Sequence, residues 1–223
     1  MTNSSPATRP PLILASRSPR RRELLAEAGY SFEVIAPAED VECGVCSESG
    51  PAGLVAELAH RKAAAIVAQI AGDPQRQRQL VLAADTVAEC DGFILGKPRD
   101  EGDARAMLRQ LSGREHRVYS GVCLWRVGDH QPRTRVAETR LRMDALSDDQ
   151  LEAYIASGQW EGKAGAFGYQ DRLGWVHIVE GSASNVVGLP LELLDEMLAE
   201  AERGRQVTDS PWRREGERGR HEP

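Results

Sequence analysis

The apolar and polar positions along this chain switch repeatedly between a strand period and a helix period. LILA (12–15) is a short apolar run between Pro11 and Ser16, which predicts a buried strand. SRSPRRRELLAEAG (16–29) reads as a loop, a helix and a glycine stop, with Ser18 as N-cap and Pro19 at the first helical position. YSFEVIA (30–36) alternates as a strand does. Over 51–72, Leu54, Leu58, Ile66 and Ile70 recur at spacing four and predict an amphipathic helix. LVLAADTV (80–87) predicts a second buried strand, and DGF (91–93) a hairpin turn. Residues 99–113 predict a helix with Met107, Leu108 and Leu111 inward. HRVYSGVCLWRV (116–127) and TRVAETRLRMD (134–144) predict a long antiparallel pair joined by GDHQPR. A helix over 146–158 with Ser147 as N-cap, a strand over 173–181 and a helix over 189–203 follow. Leu193, Leu194, Met197 and Leu198 give that last helix a face that closes the core. Strands alternating with helices predict an α/β fold with a mixed twisted sheet and flanking helices. No internal repeat is present. Residues 1–10 and the charged, glycine-containing tail from 204 to 223 read as disordered extensions of one domain over 11–203.

Composition narrows the functional classes. The chain has 223 residues, a net charge of −6 and a pI near 5.5, so its bulk field opposes binding to nucleic acid while leaving room for a local basic site. No apolar run approaches the roughly 20 residues of a membrane span, and MTNSSPATRPP lacks the apolar core of a signal peptide. A cytoplasmic protein without a membrane partner is expected. Cys43 and Cys46 form a lone C-x-x-C with no second pair to complete a zinc site. With Cys90 and Cys123 they read as reduced thiols. His60, His116, His130, His177 and His221 have no metal-ligand spacing, and no GxxxxGK[ST] loop occurs. Trp125, Trp160 and Trp175 read as packing residues.

Four clusters could carry chemistry. Ser16, Ser18, Arg20, Arg21 and Arg22 lie between the first strand and the first helix, where free N–H groups and a positive dipole end favour phosphate. The plainer reading is an N-cap and a solvated basic turn. Lys62 falls within the apolar stripe of its helix, so it either snorkels to water or reaches an anion in a cleft. Asp85 follows Leu80–Ala84 directly and reads as the end of a strand, where ligands of open α/β sheets bind. It could act as a general base, as a ligand for Mg²⁺ or Mn²⁺, or only as a turn cap. Thr86 beside it adds a hydroxyl. Glu39, Asp40 and Glu42 form a second acidic patch that either completes a metal site or solvates a loop. The run GKAGAFGYQD (162–171) permits close backbone approach, with Lys163 as a charge and Gln170 as a donor and acceptor for a base edge.

Taken together, LILASRSPRRRELL, ELAHRKA, LAADTVAECDGFILGKPRD, LSGREHRVYSGVCL, YIASGQWEGKAGAFGYQ and EGSASNVVGLPLELL resemble the Maf family of nucleotide pyrophosphatases, in order, over residues 12 to 198. The resemblance implies two lobes around a deep cleft, as in the inosine triphosphate pyrophosphatases. It implies cleavage of nucleoside triphosphates to monophosphate and pyrophosphate with a divalent cation, Mg²⁺ or Mn²⁺. It places Asp85 at the catalytic carboxylate, Lys97 at the catalytic lysine and Lys62 at the helix lysine, with Ser16, Ser18, Arg20 and Arg21 on the phosphates. Glu42 joins Asp85 as the expected second catalytic and metal-binding acid, Asp40 being the other candidate across a one-residue insertion in AEDVECG. Arg20, Thr86 and Gln170 match the branch that acts on dTTP and UTP, rather than the sister branch that acts on 7-methyl-GTP and carries Trp, Gln and Glu there. Gly162 stands where Asp is common, which leaves the contact of Lys163 open. Modified pyrimidine nucleotides are compatible substrates, and so is homodimer assembly. The rival reading is a nucleotide-sensing regulatory protein of cell division without significant turnover, and assay of pyrophosphate release separates the two.

Overall fold

The structure, a computed structural model, describes residues 11–42, 49–171 and 173–208; the side chains of Asp40, Glu42 and residues 204–208 are outside that description. The Cys43–Cys46 pair and the terminal segments 1–10 and 209–223 also lie outside the described residues. The residues form two compact units, one through Leu191 and one from Glu192.

The first unit is a seven-stranded mixed sheet. Its strands are β1 (Leu12–Leu14), β2 (Phe32–Val34), β3 (Leu80–Cys90), β4 (Phe93–Leu95), β5 (Glu115–Arg126), β6 (Arg133–Met143) and β7 (Val176–Glu180). Its helices are α1 (Pro19–Glu27), α2 (Gly50–Ile70), α3 (Glu101–Leu111), α4 (Asp148–Ala156) and the short α5 (Ala183–Val187). The strand order is β2-β1-β3-β5-β6-β7, with β4 also paired to β3. β1 runs parallel to β2 and β3, so α1 and α2 serve as the crossovers that parallel neighbours require. The remaining pairs are antiparallel.

Local chemistry accounts for most boundaries. Ser147 and Gln150 close a full capping box on α4, and Asp100 caps α3 through the Asp103 N–H. The β3–β4 hairpin turns on Asp91 and Gly92 with φ of 52° and 82°, the two left-handed residues of a type I′ turn. Ser18 holds the N-cap position of α1, but its side chain makes no capping bond. The expected strands at 30–36 and 173–181 are shorter, because only Phe32–Val34 and Val176–Glu180 find ladder partners.

The period of two along β3 sorts its side chains between two apolar cores. Val81 and Ala83 point to the face covered by α2, where Ile13, Ala59, Ala63, Ile66 and Cys123 are buried. Ala88 and Cys90 point to the opposite face, packed by Leu108 and Leu111 of α3, Leu151 and Ile155 of α4, and Trp160. Trp125 and Trp175 pack against these cores as the sequence predicts. Helix α6 (Leu191–Thr208) belongs to the second unit from Glu192 on, with Leu194, Met197 and Leu198 buried and Leu193 half-buried. Among the described residues no helix is long and apolar enough to cross a membrane.

His116 on β5 is 2% exposed, stands edge-on to Phe167 with ring centres 5.4 Å apart, and leaves both ring nitrogens without hydrogen bonds among the described residues. Burial pushes its pKa from an ordinary 6.5 down to about 4. The unfolded chain therefore binds a proton that the folded chain refuses. The stability contributed by the neutral ring is complete above pH 6.5 and is lost as pH falls from 6.5 towards 4. Urea unfolding at pH 7.5 and 5 is expected to show an acid loss about 2 kcal/mol larger in the parent than in His116→Leu. Equal losses would show that the ring is not held neutral.

Candidate active site

The site forms because one edge of β3 is shared. β5 covers the other edge from Leu80 to Glu89, whereas β1 pairs only with Leu80–Leu82 and β4 only with Ala88–Cys90. Between them β1 has ended and its chain has turned into the serine–arginine loop, so the edge from Ala83 to Val87 is left open. Asp85 stands in this gap. It does not end its strand, as the sequence suggested: β3 continues five residues beyond it, because Thr86 and Glu89 find partners within the fold. The opening is made by β1 stopping.

A cavity of about 550 Å³ occupies the fork. The loop Ser16–Arg21, Lys62, Asp85, Thr86, Lys97, the glycine-rich turn at 162–164, Phe167, Gln170 and Val186–Gly188 line it. Its described cations are Arg17, Arg20, Arg21, Lys62, Lys97 and Lys163, against the carboxylates Glu39 and Asp85. A chain of net charge −6 thus concentrates positive charge in one cavity, the field a polyphosphate requires.

Lys62 and Asp85 meet at its floor. The period of β3 places Asp85 on the same face as Val81 and Ala83, under α2, and the apolar stripe of α2 carries Lys62 to the same place. Lys62 Nζ donates to Asp85 Oδ1 at 2.5 Å, with side-chain exposures of 5% and 14%. Two charges so far out of water hold each other in a fixed geometry, and removing either would take a buried counter-charge from the other.

The serine–arginine loop is pre-organised. Arg21 donates through Nε to Gly188 O at 2.8 Å, through Nη1 to Ser16 Oγ at 3.3 Å and through Nη2 to Thr86 Oγ1 at 3.2 Å. Ser16 Oγ also accepts from the Ser18 N–H at 3.2 Å. Arg20 reaches across the cavity to Gly162 O at 2.7 Å. Burial pulls the Arg20 guanidinium down, with Asp171 and Glu23 acting in the opposite sense. Arg22 bonds the Arg17 carbonyl from the exposed side and does not line the cavity. Arg17, which the sequence reading did not single out, does line it and pairs with Glu39 at 2.5 Å. Lys97 is exposed at the rim, where the Gly165 N–H donates to Gly96 O at 3.0 Å and ties the glycine-rich turn to the exit of β4.

That turn is held from below. Lys163 Nζ donates to Asp171 Oδ2 at 2.5 Å and Tyr154 OH to the same oxygen at 2.9 Å. Burial pushes the Tyr154 hydroxyl up, helped by Asp171. Asp171, nine residues after Gly162, is therefore the partner of Lys163. A Cβ on Gly168 would lie 2.6 Å from both Asp171 Oδ2 and Lys163 Nζ, so a side chain there would push on this pair.

A second network reaches Thr86. Its hydroxyl bonds Ser120 Oγ at 2.8 Å and Gly188 O at 3.3 Å. Ser120 bonds the Asn185 carbonyl, and Asn185 Nδ2 bonds Val118 O and Thr139 Oγ1. Ser120, Thr139 and Asn185 are residues the sequence reading missed. The run SASN, a hydroxyl N-cap followed three residues on by a buried amide, was their signal. Of the expected acidic patch, Glu39 is seen at the cavity. The backbone of Asp40 and Glu42 lies in a 3-10 turn over Glu39–Glu42, and their side chains fall outside the description.

The family described as Maf-like protein matches residues 11–201. A protein of Rhodopirellula baltica named dTTP/UTP pyrophosphatase is 50% identical over 201 residues, covering 90% of this chain and 86% of that one. One of the same name from Salinibacter ruber is 44% identical over 187 residues, covering 82% and 87%. Among solved structures, a HAM1 protein from Coxiella burnetii aligns with 86% of this chain and 99% of its own at 15% identity and a TM-score of 0.45.

Proposed function

This chain belongs to the Maf-like protein family, and from that we propose that it hydrolyses dTTP and UTP to the monophosphate and pyrophosphate in the cavity at the β3 fork. The observation that carries the reading is the buried Lys62–Asp85 pair on the floor of a cavity rimmed by arginines and lysines.

In this reading Ser16, Ser18, Arg21, Lys62 and Lys97 bind the triphosphate. Arg20, Thr86 and Gln170 face the nucleoside. Water attacks the α-phosphorus, the bond to the bridging oxygen breaks, and pyrophosphate leaves on that oxygen. Asp85 accepts the water's proton, and Lys62, bonded to its Oδ1, fixes the direction of the carboxylate. Lys97 and Arg21 offset the charge that builds on the departing pyrophosphate. Most of the acceleration then comes from alignment and preset charge, as in phosphoryl transfer generally.

Asp85 fits a divalent cation, since a hard ion arriving on a nucleotide needs only one or two protein carboxylates. Asp85 and Glu42 would hold Mg²⁺ or Mn²⁺, which when bound supplies further charge neutralisation of the phosphates. A cytoplasmic location suits a substrate drawn from the nucleotide pool.

The test is a nucleotide panel with purified protein, with Mg²⁺, with Mn²⁺ and with a chelator. The expected result is dTMP and UMP in step with pyrophosphate, at rates at least tenfold above those for 7-methyl-GTP and the purine triphosphates, and abolished by chelation. Saturable dTTP binding without product would overturn the reading in favour of a nucleotide-sensing protein.

A further inference from the structure

A second cavity, of about 660 Å³, lies beside the first and shares Arg20, Phe167, Gln170 and Val187 with it. The mechanism above makes no use of it. Its remaining wall is apolar and aromatic, with Leu24 of α1, Tyr154, Tyr169 and Trp175, and its rim carries Glu23 and Glu27 of α1. Cavities of this size with aromatic walls and a few charges are built for part of a small molecule.

The chemistry of the substrates indicates which part. dTTP carries a methyl on ring carbon 5 where UTP carries hydrogen. A site that takes both must leave space off that carbon. Arg20 and Gln170, which face the nucleoside in the reading above, border both cavities, so a pyrimidine read by them lies at the neck between the two. Space beyond the neck far exceeds a methyl group. Aromatic rings attract cations, and among the described lining residues the carboxylates of Glu23 and Glu27 outnumber the one guanidinium, Arg20, which is bonded to the Gly162 carbonyl.

We propose that this second cavity receives a substituent on carbon 5 of the pyrimidine, longer than methyl and ending in a positive charge, so that triphosphates of such hypermodified pyrimidines are substrates. This rests on the nucleotide pyrophosphatase reading above. The cavity supplies binding energy remote from the reacting phosphorus. Its effect falls on kcat/KM for the substituted nucleotide and leaves UTP untouched.

The probe is 5-(3-aminoallyl)-UTP, compared with UTP and with the N-acetylated, uncharged aminoallyl nucleotide. The parent enzyme is expected to hydrolyse aminoallyl-UTP with kcat/KM at least equal to that for UTP, and the acetylated form about threefold less well. Leu24→Trp, which fills the second cavity from a wall the first does not share, should cut kcat/KM for aminoallyl-UTP tenfold or more and keep that for UTP within twofold. Glu27→Gln should narrow the gap between the charged and acetylated probes. Aminoallyl-UTP hydrolysed tenfold more slowly than UTP, or equally well by the parent and Leu24→Trp, would overturn this proposal and leave pyrophosphatase activity standing. Failure to hydrolyse UTP itself would overturn the parent reading, and this one with it.

Discussion

Asp85→Asn is expected to lower kcat for dTTP by at least about 1,000-fold, within the range that loss of a base acting with preset charge covers. The same substitution breaks the ion pair with Lys62, whose side chain is 5% exposed. Stripping one partner from so buried a pair costs about 3–5 kcal/mol, because the ammonium loses a counter-charge where little water can replace it. Two effects are therefore superimposed, and they can be separated. Lys62→Met removes the buried ammonium and keeps the apolar stem. The double variant Asp85→Asn/Lys62→Met should regain most of the lost unfolding free energy in urea while staying inactive. The coupling between the two sites in stability should then exceed about 1 kcal/mol, as neighbours in one network show. Parental turnover by Asp85→Asn, at a temperature where circular dichroism shows it folded, would remove Asp85 from the reaction.

Gly121→Ala should damage the enzyme although it touches no substrate. Gly121 faces Asp85 across the β3–β5 ladder, on the side covered by α2. A Cβ there would stand 2.2 Å from the Val55 carbonyl oxygen, 2.4 Å from its carbon and 2.8 Å from the Ala56 nitrogen. All three are backbone atoms, so no rotamer relieves the clash and α2 itself must move. Overpacking of this kind costs about 1–3 kcal/mol. Lys62 lies two turns further along the same face of α2, so a shift of the helix lifts its ammonium from Asp85. Misplacement by about 1 Å can cost about 100-fold in rate. The expected result is a lowered urea midpoint with a 10- to 100-fold loss in kcat. Trimming the opposing side chain with Val55→Ala should not restore either, since that side chain is not what collides. A fully active Gly121→Ala would show that the separation of α2 from the sheet does not set the lysine.

The sequence was most informative where a single local rule decides the outcome. Asp91-Gly92 admits one tight hairpin turn, Ser147 and Gln150 one capping box, and the spacing of Leu58, Ile66 and Ile70 one buried helix face with Lys62 on it. It was least informative where tertiary partners satisfy groups that look exposed. Asp85 read as the end of its strand, yet Ser120 and Gly188 accommodate Thr86, the Gly92 N–H accommodates Glu89, and β3 runs on to Cys90. Lys163 was visible, but its bond to Asp171 depends on a chain path that turns left-handed at Gly165 and Ala166, which no periodicity encodes. The five-residue α5 is too short to show a period, although its Asn185 anchors the network behind Thr86.

The fork on β3 has a consequence for how the molecule opens. β1 and β4, which bound the mouth, are both stitched to one uninterrupted strand, which also bears Asp85 and is backed by β5 from Leu80 to Glu89. The aperture is framed, like a window, by strands of a single sheet. Selection then falls on what fits the frame, and side chains at the sill, such as Lys97 and Arg20, are left to make whatever adjustment a guest demands.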